Sequence, residues 1–331
     1  MRAEQAGANT DVAAVILTHG EVDSYRDVVT DLLDGGQPAA DICIVHNLVT
    51  ADDREIRPSH DDIEVVRLPG NPGYAVGMNT GMRRALERGA SWIWLLTHDT
   101  RLTPGTVAAM RRAAAAADGY GALGPVLTVR GSGESFSHGG HRRRHGELFH
   151  ARTGFPDAPG PEGIAEAVWL DGSTIMLRAD ALRAVGLYDE SLYGYTEDAE
   201  LCLRLERAGW RIGVVADAAA SGETGHSSRP GAVAYLIARN GMRYRRVVAG
   251  SGGVLDGLRR HARDTVHFIR LTLDPRSTRT LRRSSVAWLA GTWAGVGGFL
   301  LGRHGRPPTW LPGLGEMGKP AGRQRRRAQP E

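Results

Sequence analysis

Two adjacent carboxylates, Glu197 and Asp198, are the residues of this chain whose type and spacing most directly suggest catalysis. They follow a tyrosine-rich loop, 192–196, and precede a leucine-containing segment that is predicted to be an amphipathic helix. Thr196 is predicted to cap this helix, whose N-terminus favours negative charge. A carboxylate held there at a cleft could act as a general base. A surface capping cluster has the same pattern, so both interpretations stay open on these residues alone.

Three short apolar runs predict buried parallel strands that each end in polar residues. In open α/β sheets, ligands bind at the carboxyl ends of the strands. We therefore expect the polar residues after each run to line a ligand site. The runs are 12–17, 42–45 and 92–96, followed respectively by Thr18 and His19, by His46 and Asn47, and by 97–100.

An ordered set of further motifs accompanies these strands. The motifs are a glycine-rich segment that leads into a helix (68–81), a strand end around Asp99 (95–105), a strand with Asp171 and Gly172 (169–178), and a turn (185–190) ahead of the Glu-Asp pair. Together they resemble the family-2 glycosyltransferases of GT-A fold, in the rhamnosyltransferase-like subgroup. The resemblance covers residues 11–245.

The resemblance implies an α/β fold of the GT-A type, which is Rossmann-like, with a mostly parallel central sheet flanked by helices and a helical C-terminal extension. A glycine-, histidine- and arginine-rich stretch, 132–161, is predicted to be a long irregular loop over the active-site face. The expected organisation is a disordered N-terminus (1–10), a catalytic domain (11–245) with a nucleotide-sugar half (11–130) and an acceptor half (131–245), a helical extension (246–315) and a basic disordered tail (316–331).

The activity that the resemblance implies is that of an inverting glycosyltransferase (hexosyltransferase). It would move a sugar, rhamnose or another deoxysugar, from a dTDP- or UDP-linked donor to a hydroxyl of a glycan, a lipid-linked glycan or a small molecule. Asp198 matches the family's general base, and Glu197 would contact the acceptor or orient its neighbour. The expected acceptor-binding residues are Trp169, Asp171, Gly172 and Arg204.

The same resemblance assigns the donor and metal sites. The expected donor-binding residues are Thr18, His19, His46, Asn71, Gly73, Asn79, His98 and Asp99. His46 departs from the family, whose second strand usually ends in an aspartate that reads the pyrimidine, although an imidazole can still accept one hydrogen bond. A divalent metal, manganese or magnesium, is expected at Asp99, because such ions prefer carboxylate and phosphate oxygens. His226 is expected as a further ligand, and an imidazole favours manganese over magnesium. Thr97 stands where the family often has a first acidic residue.

Composition limits the class of protein. The chain has 331 residues, 41% of them hydrophobic, which is enough for a sizeable core. Cys43 and Cys202 lie in apolar patterns and are interpreted as reduced core thiols of a cytoplasmic protein. Residues 1–10 have no apolar stretch of the kind that a signal peptide needs.

The C-terminal part contains a charge-free run, 284–302, that borders on the length of a membrane span. Its five glycines favour a packed helix or helical hairpin instead. Basic residues in 258–283 and 323–327 keep peripheral contact with the inner face of a membrane open as an alternative.

Other classes of function fit parts of the pattern. His46 and the weakened acidic element would suit a non-catalytic nucleotide-sugar-binding protein, against which the Glu-Asp pair argues. A sugar nucleotidyltransferase shares the sheet and the metal chemistry, but it would ordinarily have a glycine-rich basic loop after the first strand. Nucleic acid is not an expected partner, because the basic residues are interpreted as scattered and no aromatic-basic recognition motif is present despite a pI near 9.3.

Overall fold

The structure is a computed structural model, and it describes residues 11–19, 23–48, 56–155, 157–160, 162–222 and 229–311. The chain divides into two compact units, residues 1–224 with 304–306, and residues 225–303 with 307–331. The predicted disordered segments 1–10 and 316–331, the basic stretch 323–327 and the predicted metal ligand His226 lie outside the described residues.

The first unit is built on one large sheet flanked by helices. The strands are β1 (Val12–His19), β2 (Ile42–Asn47), β3 (Glu64–Leu68), β4 (Trp92–Thr97), β5 (Arg101–Leu102), β6 (Tyr120–Val129), β7 (Ser135–Ser137), β8 (Gly140–Arg142), β9 (Leu148–His150), β10 (Ile164–Glu166), β11 (Thr174–Arg178) and β12 (Arg211–Gly222). The helices are α1 (Tyr25–Asp34), α2 (Tyr74–Glu87), α3 (Thr106–Ala116), α4 (Ala179–Val185) and α5 (Glu197–Arg207).

The main path of the sheet has the order β10-β12-β6-β11-β4-β1-β2-β3. Strands β3, β2, β1 and β4 pair in parallel, β11 is antiparallel to both of its neighbours, β12 runs parallel to β6, and β10 is antiparallel to β12. Six of these strands therefore run one way and two are reversed. The predicted α/β class with a mostly parallel sheet is confirmed.

Strand β1 is buried on both faces, which explains its continuous apolar sequence. On the face towards α2, a Cβ added at Gly77 would lie 2.5 Å from the side chain of Leu17, and one at Gly81 would lie 2.2 Å from that of Val15. Only glycine allows this close approach of helix to strand. The packing fixes the N-terminus of α2 near the carboxyl edge of the sheet.

The segment predicted as a long irregular loop, 132–161, contains three short strands, so that prediction is corrected. Strand β7 pairs with β6, and β8 pairs with β9 as a separate two-stranded hairpin. Gly140 also bridges to Trp169, whose carbonyl accepts a hydrogen bond of 2.9 Å from the Gly140 N–H. Strands of three residues are too short to show an alternating pattern, so only their pairing with another strand identifies them.

The second unit contains two long helices, α6 (Pro230–Leu273) and α7 (Arg279–Leu300), and α6 is interrupted at 249–250, where Gly250 has φ 58°. They pack closely, since a Cβ added at Gly295 would lie 2.4 Å from the carbonyl oxygen of Tyr235. The predicted helical C-terminal region is confirmed, with α6 beginning well before the predicted boundary at residue 246. Within the described ranges, no helix combines the length and hydropathy that a bilayer-spanning segment needs.

Candidate active site

The ends of three neighbouring strands meet at the carboxyl edge of the sheet. Thr18 pairs with His46 in the β1–β2 register, and Leu17 pairs with Thr97 in the β1–β4 register. These residues are far apart in the sequence, but strand pairing brings them side by side. A row of polar groups therefore lies at the edge where α/β proteins bind ligands.

Two imidazoles lie against each other at this edge. The rings of His19 and His98 are 5.0 Å apart in an edge-to-face arrangement. Burial is the main reason that the pKa of His19 is lowered, with the nearby His46 acting in the same direction and Asp99 opposing. A neutral imidazole offers one donor and one acceptor, which suits recognition of a nucleoside more than capture of a free anion.

Asp99 is the carboxylate predicted to hold a metal. Its main-chain carbonyl accepts a hydrogen bond from the Arg130 guanidinium, which ties down the turn after β4. Thr97 Oγ1 lies 3.1 Å from Thr100 Oγ1 and so serves the same turn. Across the described ranges, no three His, Cys, Asp or Glu side chains converge as a metal site would require.

The loop before α2 is tied to the loop before α5. A Cβ added at Gly73, which has φ 108°, would lie 2.6 Å from the ring of Tyr193. The Tyr193 hydroxyl donates to the carbonyl of Asn71 at 3.3 Å, and the Asn47 side chain donates to the carbonyl of Gly73 at 3.0 Å. Asn47 was expected only as one of the polar residues that follow β2, and Tyr193 only as part of the tyrosine-rich loop. The link that they make between the two loops was not predicted.

Asn79, predicted to bind the donor, is buried in the first unit and engaged by the protein itself. Its amide nitrogen donates to the carbonyl of Tyr188 at 2.9 Å and to Glu190 at 3.0 Å, while its oxygen accepts from the Tyr188 N–H at 3.0 Å. These bonds join α2 to the turn ahead of the Glu-Asp pair. The geometry favours a positioning role for Asn79 over a donor contact.

Asp198 lies in the first turn of α5, and both of its oxygens accept main-chain hydrogen bonds. Oδ2 accepts from the Gly172 N–H at 2.9 Å, and Oδ1 accepts from the Ala199 N–H at 2.7 Å. Burial first, and the charge of Asp171 second, raise the pKa of Asp198 to about 7. A carboxyl that loses its proton near neutral pH is suited to general-base chemistry.

Glu197 has a different environment from Asp198 although the two residues are adjacent. It is only 5% exposed, and burial together with the charge of Asp198 raises its pKa well above the ordinary range of a carboxyl group. Tyr188 is also buried and Tyr74 is half-buried beside the pair, and the Tyr74 hydroxyl donates to the carbonyl of Gly172 at 2.5 Å. Burial therefore favours the protonated form of Glu197.

The loop that leads into α5 adopts a rarely populated backbone conformation. Tyr193, Tyr195 and Thr196 have φ of 67°, 66° and 76°. Thr196 occupies the capping position but makes no side-chain capping bond, so the prediction that it caps the helix is wrong. A capping residue normally has an extended backbone, whereas Thr196 is left-handed. Such clustered strain is typical of functional sites in proteins.

On the side predicted to bind the acceptor, His150 and Asp171 face each other. Their closest side-chain atoms, Nε2 and Oδ2, are 4.0 Å apart, and His150 Nδ1 lies 2.9 Å from Ser137 Oγ. The ring of His150 also lies 4.7 Å from that of Trp169. Trp169 is 7% exposed and donates through Nε1 to the carbonyl of His141 at 3.1 Å. Its burial favours a packing role beside His150 over stacking of an acceptor on an exposed ring.

Arg204, predicted to bind the acceptor, is engaged by Glu200 and by main-chain carbonyls between α4 and α5. Its guanidinium donates to Glu200 at 2.8 Å and to the carbonyls of Val185 and Leu187 at 2.6 and 2.7 Å. These bonds fasten α5 to the end of α4. The geometry favours a structural role for this arginine.

Comparison with known proteins gives matches to family models and to individual relatives. The model of Glycosyl transferase family group 2 matches residues 92–305, and that of Glycosyl transferase family 2 matches residues 13–166. A low-salt glycan biosynthesis hexosyltransferase of Haloferax volcanii is 24% identical over 61% of this chain and 64% of its own length. An N-acetylglucosaminyl-diphospho-decaprenol L-rhamnosyltransferase of Mycobacterium tuberculosis is 27% identical over 56% of this chain and 66% of its own. The chain thus spans slightly less than two thirds of these relatives.

Two solved structures share the fold at low sequence identity. GalNAc-T7 with UDP, GalNAc and Mn²⁺ has a TM-score of 0.51 and 13% identity, covering 70% of this chain and 48% of that one. A mannosyltransferase from Pyrobaculum calidifontis in complex with GDP-Man and Mn²⁺ has a TM-score of 0.51 and 11% identity, covering 89% and 88%. The predicted GT-A fold is confirmed by this likeness.

Proposed function

Because the chain belongs to glycosyltransferase family 2, we propose that it transfers a sugar from a nucleotide diphosphate sugar to an acceptor hydroxyl with inversion at the anomeric carbon. The observation that carries the proposal is the environment of Asp198. Burial and Asp171 bring its pKa to about 7, and the Gly172 N–H holds its carboxylate at the start of α5.

The proposed reaction uses Asp198 as general base. The acceptor hydroxyl gives its proton to the Asp198 carboxylate as its oxygen bonds to the anomeric carbon. The bond between that carbon and the β-phosphate oxygen breaks, and the nucleoside diphosphate leaves. His150 and Asp171 would hold the acceptor, while the histidines at the strand ends would hold the nucleoside.

A divalent metal, when bound, would stabilise charge on the departing diphosphate. Asp99 would hold it together with phosphate oxygens of the donor. The two solved relatives with Mn²⁺ support this part of the proposal by analogy, since they also contain UDP or GDP-Man. His226 remains a proposed further ligand.

The proposed donor is dTDP- or UDP-linked, with rhamnose or another deoxysugar, and the proposed acceptor is a lipid-linked glycan. Support comes from the mycobacterial relative, whose name specifies rhamnosyl transfer to a diphospho-decaprenol-linked sugar. A glycan without a lipid and a small molecule are the alternative acceptors.

The test compares Asp198→Asn with Glu206→Gln, which neutralises an exposed carboxylate at the other end of α5. With dTDP-rhamnose and N-acetylglucosaminyl-diphospho-decaprenol as substrates, we expect Asp198→Asn to lower kcat by about 10²–10⁴-fold, because a base acts in the transition state. Calorimetric binding of dTDP should be nearly unchanged in both variants. An equal loss of dTDP affinity in Asp198→Asn, or full retention of turnover, would remove Asp198 from this role.

A further inference from the structure

Charge is strongly segregated along this chain. Residues 1–228 contain 32 acidic and 21 basic side chains, whereas residues 229–311 contain fifteen arginines and three aspartates. The net charge of +4 for the whole chain hides this contrast. A unit with so large an excess of one sign favours a partner of the opposite sign.

The second half of α6 carries a row of exposed apolar residues. Helical periodicity places them on one face, since they are spaced by seven, four, three and four residues. Its four large members are 44–74% exposed, far above what a packed face would show. The row is Leu255, Ala262, Val266, Ile269 and Leu273, and Ala262 is also exposed.

Exposed arginines border this row. Arg259, Arg263 and Arg270 each lie three or four residues from one of its members, so they project beside it. Helix α6 has only two carboxylates, and both lie beside other arginines: Asp256 is 2.7 Å from Arg245 and Asp264 is 3.8 Å from Arg260. The face is therefore both apolar and positively charged.

We propose that this face of α6, from Leu255 to Leu273, is a docking surface for an anionic lipid bilayer. Apolar side chains bordered by arginine match the two layers of a membrane interface, where the former enter the acyl boundary and the latter meet lipid phosphates. A nucleic acid would satisfy the arginines but leave the apolar row in water. A second copy of the same face would bring like charges together. The surface lies within the helical unit and is a property separate from the proposed transfer reaction.

The first experiment is flotation of the full chain with vesicles of phosphatidylcholine alone and of phosphatidylcholine mixed with phosphatidylglycerol. We expect flotation with the mixed vesicles only, and its loss at about 1 M salt, where charges are screened within about 3 Å. Arg259→Gln, Arg263→Gln and Arg270→Gln should each weaken partition about fivefold. Ile269→Ser with Leu273→Ser should also weaken it, whereas Val247→Ser, an equally exposed site before the break in α6, should not.

A fluorescent label locates the contact directly. Cys43 and Cys202 are both buried, so an environment-sensitive thiol dye should react only with an added cysteine, Ile269→Cys or, as control, Val247→Cys. We expect the emission to shift to the blue with anionic vesicles for the label at 269 alone. Unchanged emission at 269 with bound protein would assign the contact to another segment and overturn the proposal. Equal binding to neutral and anionic vesicles would also overturn it. So would a dimer that sediments without lipid and that the combined change Ile269→Ser with Leu273→Ser abolishes, because the face would then be an interface between two copies of the chain.

Discussion

Glu197 and Asp198 are adjacent carboxyl groups whose pKa values are both raised by burial, but whose hydrogen-bond partners differ. Burial raises the pKa of Glu197 and so favours its neutral form, whereas Asp198 accepts hydrogen bonds from the main-chain N–H groups of Gly172 and Ala199, which favour its charged form. The separation of two neighbouring pKa values is how one site can contain both a base and a neutral hydrogen-bonding group. At this scale the assignment of roles rests on burial, which sequence alone does not report.

The pKa of Asp198 leads to a pH prediction. Since a general base must be deprotonated, kcat/KM should rise with pH and reach half of its plateau near pH 7, the value to which burial and Asp171 bring this carboxyl. Asp171→Asn removes a neighbouring negative charge, so the midpoint should move to lower pH. The measurement is kcat/KM against pH for both proteins. A profile that is flat from pH 5 to 9 would be incompatible with Asp198 as the titrating base.

At the scale of elements, the contact between Gly73 and Tyr193 joins the loop before α2 to the loop before α5. The donor side and the base side of the proposed site are thus built as one piece. Two features of position 73 require glycine. Its φ is positive, and an added Cβ would lie 2.6 Å from the ring of Tyr193.

Gly73→Ala and Gly89→Ala separate these two requirements. Gly89, after α2, has φ 83° but open space around it, so alanine there should cost only about 1 kcal/mol of unfolding free energy through backbone strain. Gly73→Ala should cost more and should also weaken dTDP binding, because Tyr193 must move. Denaturant unfolding and calorimetry measure the two effects. Similar losses in both variants would show that the Tyr193 contact is unimportant.

The helix pair of the second unit offers a matched test of close packing. At Gly295 a Cβ would lie 2.4 Å from the Tyr235 carbonyl, whereas Gly297 has open space. Gly297→Ala should raise the free energy of unfolding by up to about 1 kcal/mol, because alanine favours helix more than glycine does. Gly295→Ala should lower it, since α7 must move away from α6. Stabilisation by both changes would contradict the close approach of these helices.

At the scale of the whole molecule, the distribution of charge was misjudged from the overall pI. The basic segment 258–283 was recognised, but the expectation that basic residues are otherwise scattered is wrong for residues 229–311, which contain fifteen arginines and three aspartates. The sequence contains this information, but a sum over the complete chain cancels it.

Ligand binding should be visible as a change in stability of the whole chain. At dTDP or UDP concentrations near 100 times Kd, binding to the folded protein should add about 2.7 kcal/mol to the free energy of unfolding and raise Tm by several degrees. The metal-dependent part of the increase should disappear with a chelator or in Asp99→Ala, and should persist in Asp118→Ala, an exposed carboxylate after α3. If the stability increase were the same with chelator and in Asp99→Ala, Asp99 would not hold a metal.

Much of the fold could be predicted from sequence because its signals are local. The apolar runs at β1, β2 and β4 are continuous because both faces of these strands are covered. The glycines of α7 indicated close packing of this helix. The polar strand ends followed from the rule that parallel strands share one edge. The Glu-Asp pair and the motifs around it were sufficient to predict the family.

Only tertiary structure decided how the individual side chains are used. Asn79 and Arg204 looked available in sequence, but distant carbonyls at Tyr188 and Val185 satisfy them. His150 was one histidine in a segment without pattern until strand pairing brought it to Asp171. Hydrogen bonds and burial of this kind join residues far apart in the chain, and no local periodicity encodes such contacts. The sequence therefore determined the main helices and strands and the sheet edge at which the site lies. Tertiary packing determined which side chains meet there.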